Sequence, residues 1–358
     1  MTPPDLAALD DRATVERLDP QGLLGRIESL TEQCEGAWRA AAALELPAAY
    51  AEARQVVVLG MGGSAIAGDM LRAIAALSSR TPVSVARGYD LPASVDEHTF
   101  VIACSHSGDT EETLAAFEQA LAAGARALVI TTGGRLRRLA EERGLPAFVY
   151  QQEGEPRSAL GHQLMALLAA GQRLRLIASQ DVDVNEAVSL MREQRERIGF
   201  AVPVERNAAK QLAGRLYGRL PVVVGAGLLA PAAYRWKTQV NENSKSWAIV
   251  EELPELGHNA IVGFRLPPEV AQRLHLVFLS NAALHPRVLV EYDAVADELS
   301  RAGVAHERLE VAGTGALAQV LSAAFLGDLV SYYLALLYNE QPSPVDPIGR
   351  LKARLAGG

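Results

Sequence analysis

The sequence has few cysteines, few lysines and no excess of basic residues. Two cysteines, Cys34 and Cys104, among 358 residues are too few for a disulfide framework. Lysine and arginine total 34 against 42 for aspartate and glutamate, so the formal net charge is −8. We therefore expect no broad nucleic-acid surface, and an anionic ligand would need a local positive pocket. Only four basic residues are lysines, so a retained lysine can mark a need for a compact ammonium group, although genome composition or heat tolerance would also deplete lysine.

The sequence also lacks the patterns of a metal site, a leader peptide and a membrane span. No two of the seven histidines have H-x-x-H or H-x-x-x-H spacing, so we expect no metal. The first residues include acids and no basic segment, which argues against a signal peptide. The apolar stretch 320–338 contains Asp328 in its middle and predicts a buried helix. We expect a cytoplasmic protein that does not contact membranes.

Short β-branched runs alternate with segments of helical spacing along most of the chain. Strands are predicted at residues 55–60, 81–86, 99–104, 127–132, 148–149, 220–225, 274–279 and 307–311. This alternation is typical of doubly wound α/β domains with parallel sheets. We expect two such domains of similar plan, 1–180 with a helical N-terminal extension and 181–358 with linking helices and a C-terminal helix.

A glycine-rich loop, Gly60-Met-Gly-Gly-Ser64, follows the first predicted strand and opens a helix. Glycines allow close approach of an anion, and a helix amino end offers free N–H groups, so the loop can bind phosphate. Read as G-x-G-x-x-A it also fits a dinucleotide fingerprint, and Arg87 or Asp90 would then stand near the ribose, which leaves NADP open. A turn without a ligand is the third possibility.

A second loop between a strand and a helix carries three hydroxyl side chains, those of Ser105, Ser107 and Thr110. Hydroxyls and free N–H groups on one turn suit a phosphate monoester, whose oxygens accept many hydrogen bonds. The alternative is that these residues only cap the following helix. Two such loops in one domain favour phosphate binding over either alternative.

Several motifs in a fixed order make the chain similar to a known family. They are GMGGS at 60–64, SHSGDTEET at 105–113, GEPRSALG at 154–161, NENSK at 241–245, PELGHN at 254–259 and, more loosely, Lys352 in RLK. Over essentially its whole length the chain resembles the bifunctional phosphoglucose/phosphomannose isomerases, which contain two sugar isomerase (SIS) domains. Each motif alone is unspecific, whereas the ordered combination is specific.

The resemblance implies an aldose–ketose isomerase for glucose 6-phosphate and fructose 6-phosphate, and often mannose 6-phosphate. It implies a homodimer without cofactor, with the site between domains and subunits. The residues that it implies for the substrate phosphate are Gly62, Gly63, Ser64, Ser105, Ser107 and Thr110. Those that it implies for catalysis are Glu242 as the base, Arg157 as the group that stabilises the intermediate, and His258 and Lys352 in ring opening.

The residue types agree with this chemistry, although each has an alternative. One carboxylate can move a proton between C2 and C1 of a sugar, and Glu242 competes for this role with Glu251, Glu252 and Glu255. Arginine stays charged beside an enediolate, but Arg157 could simply pair with Glu155. Histidine titrates where ring opening needs it. His258 and Lys352 could equally be ordinary surface residues.

Three positions depart from the family pattern or align loosely with it. Asp109 stands where relatives usually carry asparagine, and His106 where they carry an aromatic residue. A carboxylate next to a phosphate dianion is unfavourable unless it points away or pairs with a cation. Ser343 is the nearest candidate for the C-terminal hydroxyl on which mannose activity depends. A sugar-phosphate sensor remains an alternative function, although the chain shows no helix-turn-helix segment or basic arm.

Overall fold

The computed structural model describes residues 4–356, so part of the segment behind the leader-peptide prediction lies outside the described residues. Within these described residues, nine strands form two separate sheets. The strands are β1 Gln55–Leu59, β2 Val83–Ala86, β3 Thr99–Ser105, β4 Arg126–Thr131, β5 Ala147–Val149, β6 Leu220–Ala226, β7 Ile249–Leu253, β8 Leu274–Ser280 and β9 Ala305–Glu310. Short β-branched runs such as Val56–Val58 form the buried centres of the sheets.

Helices precede, separate and follow the strands. Three short ones come first, α1 Arg12–Leu18, α2 Leu23–Glu28 and α3 Leu30–Ala41. Those of the first sheet and the linking region are α4 Gly62–Ala75, α5 Glu111–Ala122, α6 Gly134–Arg143, α7 Leu160–Arg173, α8 Asp181–Ile198 and α9 Ala208–Leu216. The remaining helices are α10 Ala230–Asn243, α11 Pro268–Ala271, α12 Pro286–Ala302, α13 Ala316–Leu337 and α14 Asp346–Ala356.

Both sheets are parallel and are wound in the same order. The first has the order β2-β1-β3-β4-β5 and the second the order β7-β6-β8-β9. In each sheet the chain builds outward on one side of the first strand and then crosses to the other side. The crossing creates a crevice between β1 and β3, and another between β6 and β8. Ligands of open α/β sheets bind at the carboxyl ends of the strands in such crevices.

Helix α13 lies in the core of the protein. It is long and apolar enough to cross a membrane, yet 89% of its most apolar window is buried inside the molecule. Its central Asp328 accepts two hydrogen bonds from Arg235 of α10, at 2.6 and 2.9 Å, so a buried ion pair joins the two helices. The prediction of a buried helix over this stretch is therefore confirmed.

The fold class of two doubly wound parallel sheets is confirmed, with differences at the sheet edges. The sequence pattern predicts no strand at β7, and Glu251 and Glu252 are considered there as rival catalytic carboxylates. Strand β7 is an edge strand with partly solvated side chains, so it carries no long apolar run. The other edge strand, β9, begins at Ala305, two residues before the predicted start. The proposed domain limits at 180 and 181 remain a prediction.

Candidate active site

The two glycine-containing loops lie side by side at the crevice of the first sheet. One connects β1 to α4 and the other connects β3 to α5. At Gly60, directly after β1, an added Cβ would lie 3.1 Å from the carbonyl oxygen of Cys104 in β3, so the segments that lead into the two loops are closely packed. The structure therefore brings the six predicted phosphate residues to one end of the sheet.

The first loop leaves the amino end of α4 without a side-chain cap. Gly62 has a φ of +51°, a conformation that favours glycine, and an added Cβ at Gly63 would lie 3.1 Å from Cα of Arg157. Ser64 is buried, and its hydroxyl oxygen accepts a hydrogen bond from Nε2 of Gln163 at 3.0 Å. The serine hydroxyl hydrogen and the uncapped helix end are thus free for an anion.

The second loop is held by hydrogen bonds among its own residues. The hydroxyls of Ser105 and Thr110 lie 2.8 Å apart, and the amide of Gly108 donates to Ser105 Oγ at 3.1 Å. Thr110 occupies the N-cap position of α5 but makes no side-chain capping bond. Ser107 is exposed, and its Oγ accepts a hydrogen bond from the amide of Asp109. Capping alone therefore does not account for Thr110.

The two departures from the family pattern both have structural partners outside the phosphate loops. Oδ1 of Asp109 accepts a hydrogen bond from the amide of Arg135 at 3.0 Å, in the first turn of α6. The amino end of that helix is positive, so the carboxylate is stabilised there. His106 is buried, its Nδ1 lies 3.1 Å from the hydroxyl of Tyr150, and burial lowers its pKa.

A buried polar chain connects the two loops, and the sequence analysis missed it. Nε2 of Gln163 on α7 donates to Ser64 and, at 2.9 Å, to the hydroxyl of Tyr150, which also contacts His106 of the second loop. His162 stacks on Tyr150 with ring centroids 4.9 Å apart, and burial lowers its pKa to about 4. These residues carry no motif, since their contacts depend on the turns that bring α7 back under the sheet.

Arg157 is 3% exposed and lies beside the first loop. Its guanidinium donates to Oδ1 of Asn243 at 2.7 Å, to Oε2 of Glu242 at 3.2 Å, and to the carbonyls of Pro342 and Ser343 at 2.8 and 3.1 Å. Burial lowers the pKa of Arg157, and the nearby Glu242 charge opposes that shift. The alternative pairing with Glu155 is not formed, because Glu155 instead accepts from Arg26 at 2.7 Å.

Glu242 projects from the last turn of α10, and its side chain is 26% exposed. It lines a cavity of about 730 Å³ together with Asn241, Lys245 and residues 339–341 and 344–348. The three rival carboxylates, Glu251, Glu252 and Glu255, line a different cavity of about 520 Å³ with Asp69 and Arg87. Of the four carboxylates considered, Glu242 is thus the one that contacts Arg157.

Lys245 was left without a role by the motif comparison, yet it adjoins this pair. Its Nζ donates to the carbonyl oxygens of Glu242, Pro342 and Asn243 at 2.6, 2.9 and 3.3 Å. Loss of water around the ammonium group, together with the charge of Arg157, lowers its pKa to about 8. The carbonyl of Pro342 is therefore shared by two cations.

His258 and Lys352 are not brought to this cluster within one chain. His258 is exposed on a turn after β7, residues Glu255–His258, and Lys352 is exposed on α14. Between residues 4 and 356, neither side chain makes a hydrogen bond or ion pair with Glu242 or Arg157. Ser343 is buried next to Arg157, but its hydroxyl faces Arg26 at 3.4 Å.

The structure also bears on the dinucleotide and metal sites considered from the sequence. Arg87, which could have faced the ribose of a dinucleotide, pairs with Asp69 and lies over the ring of Tyr234. No group of three or more histidine, cysteine or acidic side chains positioned to hold a metal occurs in the described part of the chain.

Family models for SIS domains match both halves of the chain. A family model described as "SIS domain" matches residues 49–170, and one described as "Bacterial phospho-glucose isomerase C-terminal SIS domain" matches residues 205–355. Two solved structures from Thermus thermophilus share the fold. A glucose-6-phosphate isomerase like protein gives a TM-score of 0.64 at 21% identity, covering 98% of this chain and 99% of that one. A hypothetical protein gives 0.74 at 19% identity, covering 98% and 94%.

Curated relatives are similar over most of their length. The bifunctional phosphoglucose/phosphomannose isomerase of Caldicellulosiruptor bescii is 38% identical over 92% of this chain and 98% of that protein. The Aquifex aeolicus protein of the same name is 35% identical over 84% and 90%. A D-glucosamine-6-phosphate 4-epimerase from Sulfolobus acidocaldarius is 31% identical over 58% and 63%. The resemblance drawn from the motifs is thus confirmed, and the chain belongs to the bifunctional phosphoglucose/phosphomannose isomerase family.

Proposed function

We propose that the protein is an aldose–ketose isomerase that interconverts glucose 6-phosphate and mannose 6-phosphate with fructose 6-phosphate through a cis-enediol. The observation that carries the proposal is the 3.2 Å contact between Glu242 and the buried Arg157, next to two phosphate-type loops. Enediol chemistry needs a carboxylate and a permanent positive charge at one place. The names of the relatives support the same reaction.

The substrate phosphate is assigned to the crevice between β1 and β3. Gly62, Gly63 and Ser64 offer the uncapped amino end of α4, and Ser105, Ser107 and Thr110 offer hydroxyls from the facing loop. Helix N–H groups and hydroxyl donors together suit a phosphate dianion. Asp109 does not oppose this binding, since its carboxylate is hydrogen-bonded at the amino end of α6.

The proton transfer is assigned to Glu242 and Arg157. Glu242 removes the C2 proton of the open-chain aldose, so that electron density moves onto the C1 oxygen as the enediolate forms. A proton passes from the C2 hydroxyl to the C1 oxygen, and the same carboxylate returns its proton to C1, so that C2 becomes the carbonyl carbon of the ketose. Arg157 is assigned to the oxygen on which charge develops, because one of its Nη1–H groups lies outside the four hydrogen bonds that it makes to Asn243, Glu242, Pro342 and Ser343. Proton shuttling of this kind uses no cofactor or metal.

Ring opening is assigned to His258 and Lys352, which a homodimer would bring to the site. His258 is exposed in one chain, and the segment that follows it exposes apolar side chains, with Val262 at 89% and Leu266 at 73%. Exposed apolar patches next to a functional loop mark interaction surfaces. We propose that a second copy covers this surface and that each subunit contributes groups to its partner's site.

The protein is further proposed to act in the cytoplasm, in glycolysis and gluconeogenesis, without nucleic-acid or membrane partners.

The alternative function is a sugar-phosphate sensor that lacks turnover. Proton NMR of fructose 6-phosphate with the pure protein and EDTA separates the two. We expect signals of glucose 6-phosphate, mannose 6-phosphate or both. Binding without any product would favour the sensor, and a C4-epimerised product would reassign the reaction.

A further inference from the structure

Lys245 occupies a backbone position that rarely accepts a lysine. Its φ is +54°, in the left-handed region directly after α10 ends, where glycine is the usual residue. A side chain in this conformation is strained, and such strain persists where the surroundings demand that side chain. It is also one of only four lysines in an arginine-rich chain. Both features indicate that the ammonium group itself is needed.

The ammonium group is fully used by backbone acceptors. The three carbonyl oxygens around Nζ, those of Glu242, Asn243 and Pro342, match its three N–H donors. Two of them are backbone carbonyls in the last turn of α10, the helix that carries Glu242. The third is the carbonyl of Pro342, which also accepts a hydrogen bond from Nη2 of Arg157 at 2.8 Å. A planar guanidinium could not converge on three carbonyls in this way.

We propose that Lys245 is a positioning residue that fastens the end of α10 bearing Glu242 to the Pro342 carbonyl that also orients Arg157. The proposal rests on the isomerase function proposed above. The base and the arginine come from segments 85 residues apart, and the ammonium group fixes their separation through one shared turn. Displacement of a catalytic group by about 1 Å can lower turnover about 100-fold.

The charges that face Lys245 set how its protonation responds to pH. The loss of water on burial lowers its pKa most, and Arg157 from the turn before α7 lowers it further. The charges of Glu340, Glu242 and Glu155 oppose the shift. The result is a pKa of about 8, against 10.5 for a free lysine. Above that pH the folded protein binds fewer protons here than the unfolded chain, so this group makes stability rise with pH. Activity lost near pH 8 through Lys245 is therefore not lost through unfolding.

The test compares pH profiles of kcat and KM for the wild type, Lys245→Met, Lys245→Arg and the control Lys237→Met. Lys237 lies on the same helix and forms no hydrogen bond or ion pair within residues 4–356. We expect Lys245→Met to lower kcat about 100-fold with KM changed less than about threefold. Lys245→Arg should retain more activity than Lys245→Met, because it keeps the positive charge. It should also lack the fall in activity near pH 8, because arginine stays charged there. Lys237→Met should behave as the wild type.

Nitrogen NMR of lysine-labelled protein gives a readout without activity. The chain has four lysines, so four Nζ resonances are expected, and the Lys245→Arg spectrum identifies the one from Lys245. We expect that resonance to titrate near pH 8 in the wild type. An unchanged kcat and alkaline limb in Lys245→Met, or a lowered melting temperature with the wild-type limb, overturns the proposal. A wild type without turnover would overturn the proposed function itself, and this inference with it.

Discussion

Helices α4 and α10 hold equivalent places in the two sheets, pack against each other, and differ in the end that faces the site. The amino end of α4 is uncapped and carries the glycines and Ser64. The carboxyl end of α10 carries Glu242. The positive end of a helix dipole favours an anionic ligand, whereas a carboxylate at the negative end is disfavoured. Arg157 and Lys245 supply the positive charge that α10 needs there.

The crevices of the two sheets also differ in the polar groups that they offer at the carboxyl ends of β3 and β8. Ser105 at the end of β3 joins a network of hydroxyls and amides. Ser280 ends β8 at the equivalent place, but its Oγ is buried without a hydrogen-bond partner among the described residues. The side-chain Nδ2 of the next residue, Asn281, donates hydrogen bonds to the carbonyl oxygens of Val311 and Gly313 at 2.8 and 3.3 Å. In the proposed function, one winding order thus serves phosphate binding in the first sheet and proton transfer at a helix end in the second.

The largest expected effect comes from removing the carboxylate at the end of α10. Glu242→Gln should lower kcat about 10³-fold or more, because the amide cannot accept the C2 proton. Fructose 6-phosphate binding, measured by titration calorimetry, should change little, since the phosphate loops are intact. Glu251→Gln is the matched control, because Glu251 lines the other cavity. Comparable losses in both variants would contradict the assignment.

Arg157→Lys should have the next largest effect. A lysine keeps the charge but loses the fork that reaches Glu242 and the carbonyls of Pro342 and Ser343. We expect kcat to fall about 100-fold. Arg87→Lys, in the pair with Asp69, should stay close to wild type in the same steady-state assay. Equal kcat values for the two variants would show that Arg157 does not stabilise the charge that develops on the substrate.

The difference between the crevices predicts a smaller effect on binding. Ser64→Ala should raise KM for fructose 6-phosphate about 10-fold, because a hydrogen bond to a charged phosphate is lost. Ser280→Ala, which removes the hydroxyl at the end of β8, should leave KM and kcat unchanged. If KM rose in Ser280→Ala, the second crevice would bind substrate as well.

The smallest effect is expected at Asp109. Since its carboxylate is bound at the amino end of α6, Asp109→Asn should change KM by less than about twofold. The weaker interaction with the helix end should lower the melting temperature by about 2 °C or less. A marked fall in KM would mean that the carboxylate repels the phosphate in the wild type.

The sequence predicted the sheet centres better than the edges. Buried runs such as Val56–Val58 predict parallel strands because both faces are covered. Strand β7 escaped prediction because an edge strand tolerates the two glutamates in its middle. For the candidate site, the motifs singled out short loops of distinctive composition, and the roles assigned to their residues remain predictions.

The residues that hold those groups in place left little trace in the sequence. Gln163 contacts Ser64 across 99 positions, and the Pro342 carbonyl is a backbone atom that no residue type signals. Lys245 alone had a signal, its rarity among the basic residues, but rarity assigned it no partner. Such contacts arise from tertiary packing, and only coordinates give them.

Hydrogen exchange at C1 of fructose 6-phosphate in D2O tests the central assignment most directly. Proton NMR should show deuterium entering C1 with the wild type and with Glu251→Gln, because the enediol forms in both. Glu242→Gln should bind the sugar phosphate and leave its C1 protons unexchanged. Exchange at the wild-type rate in Glu242→Gln would contradict the account, and would move the base away from the end of α10.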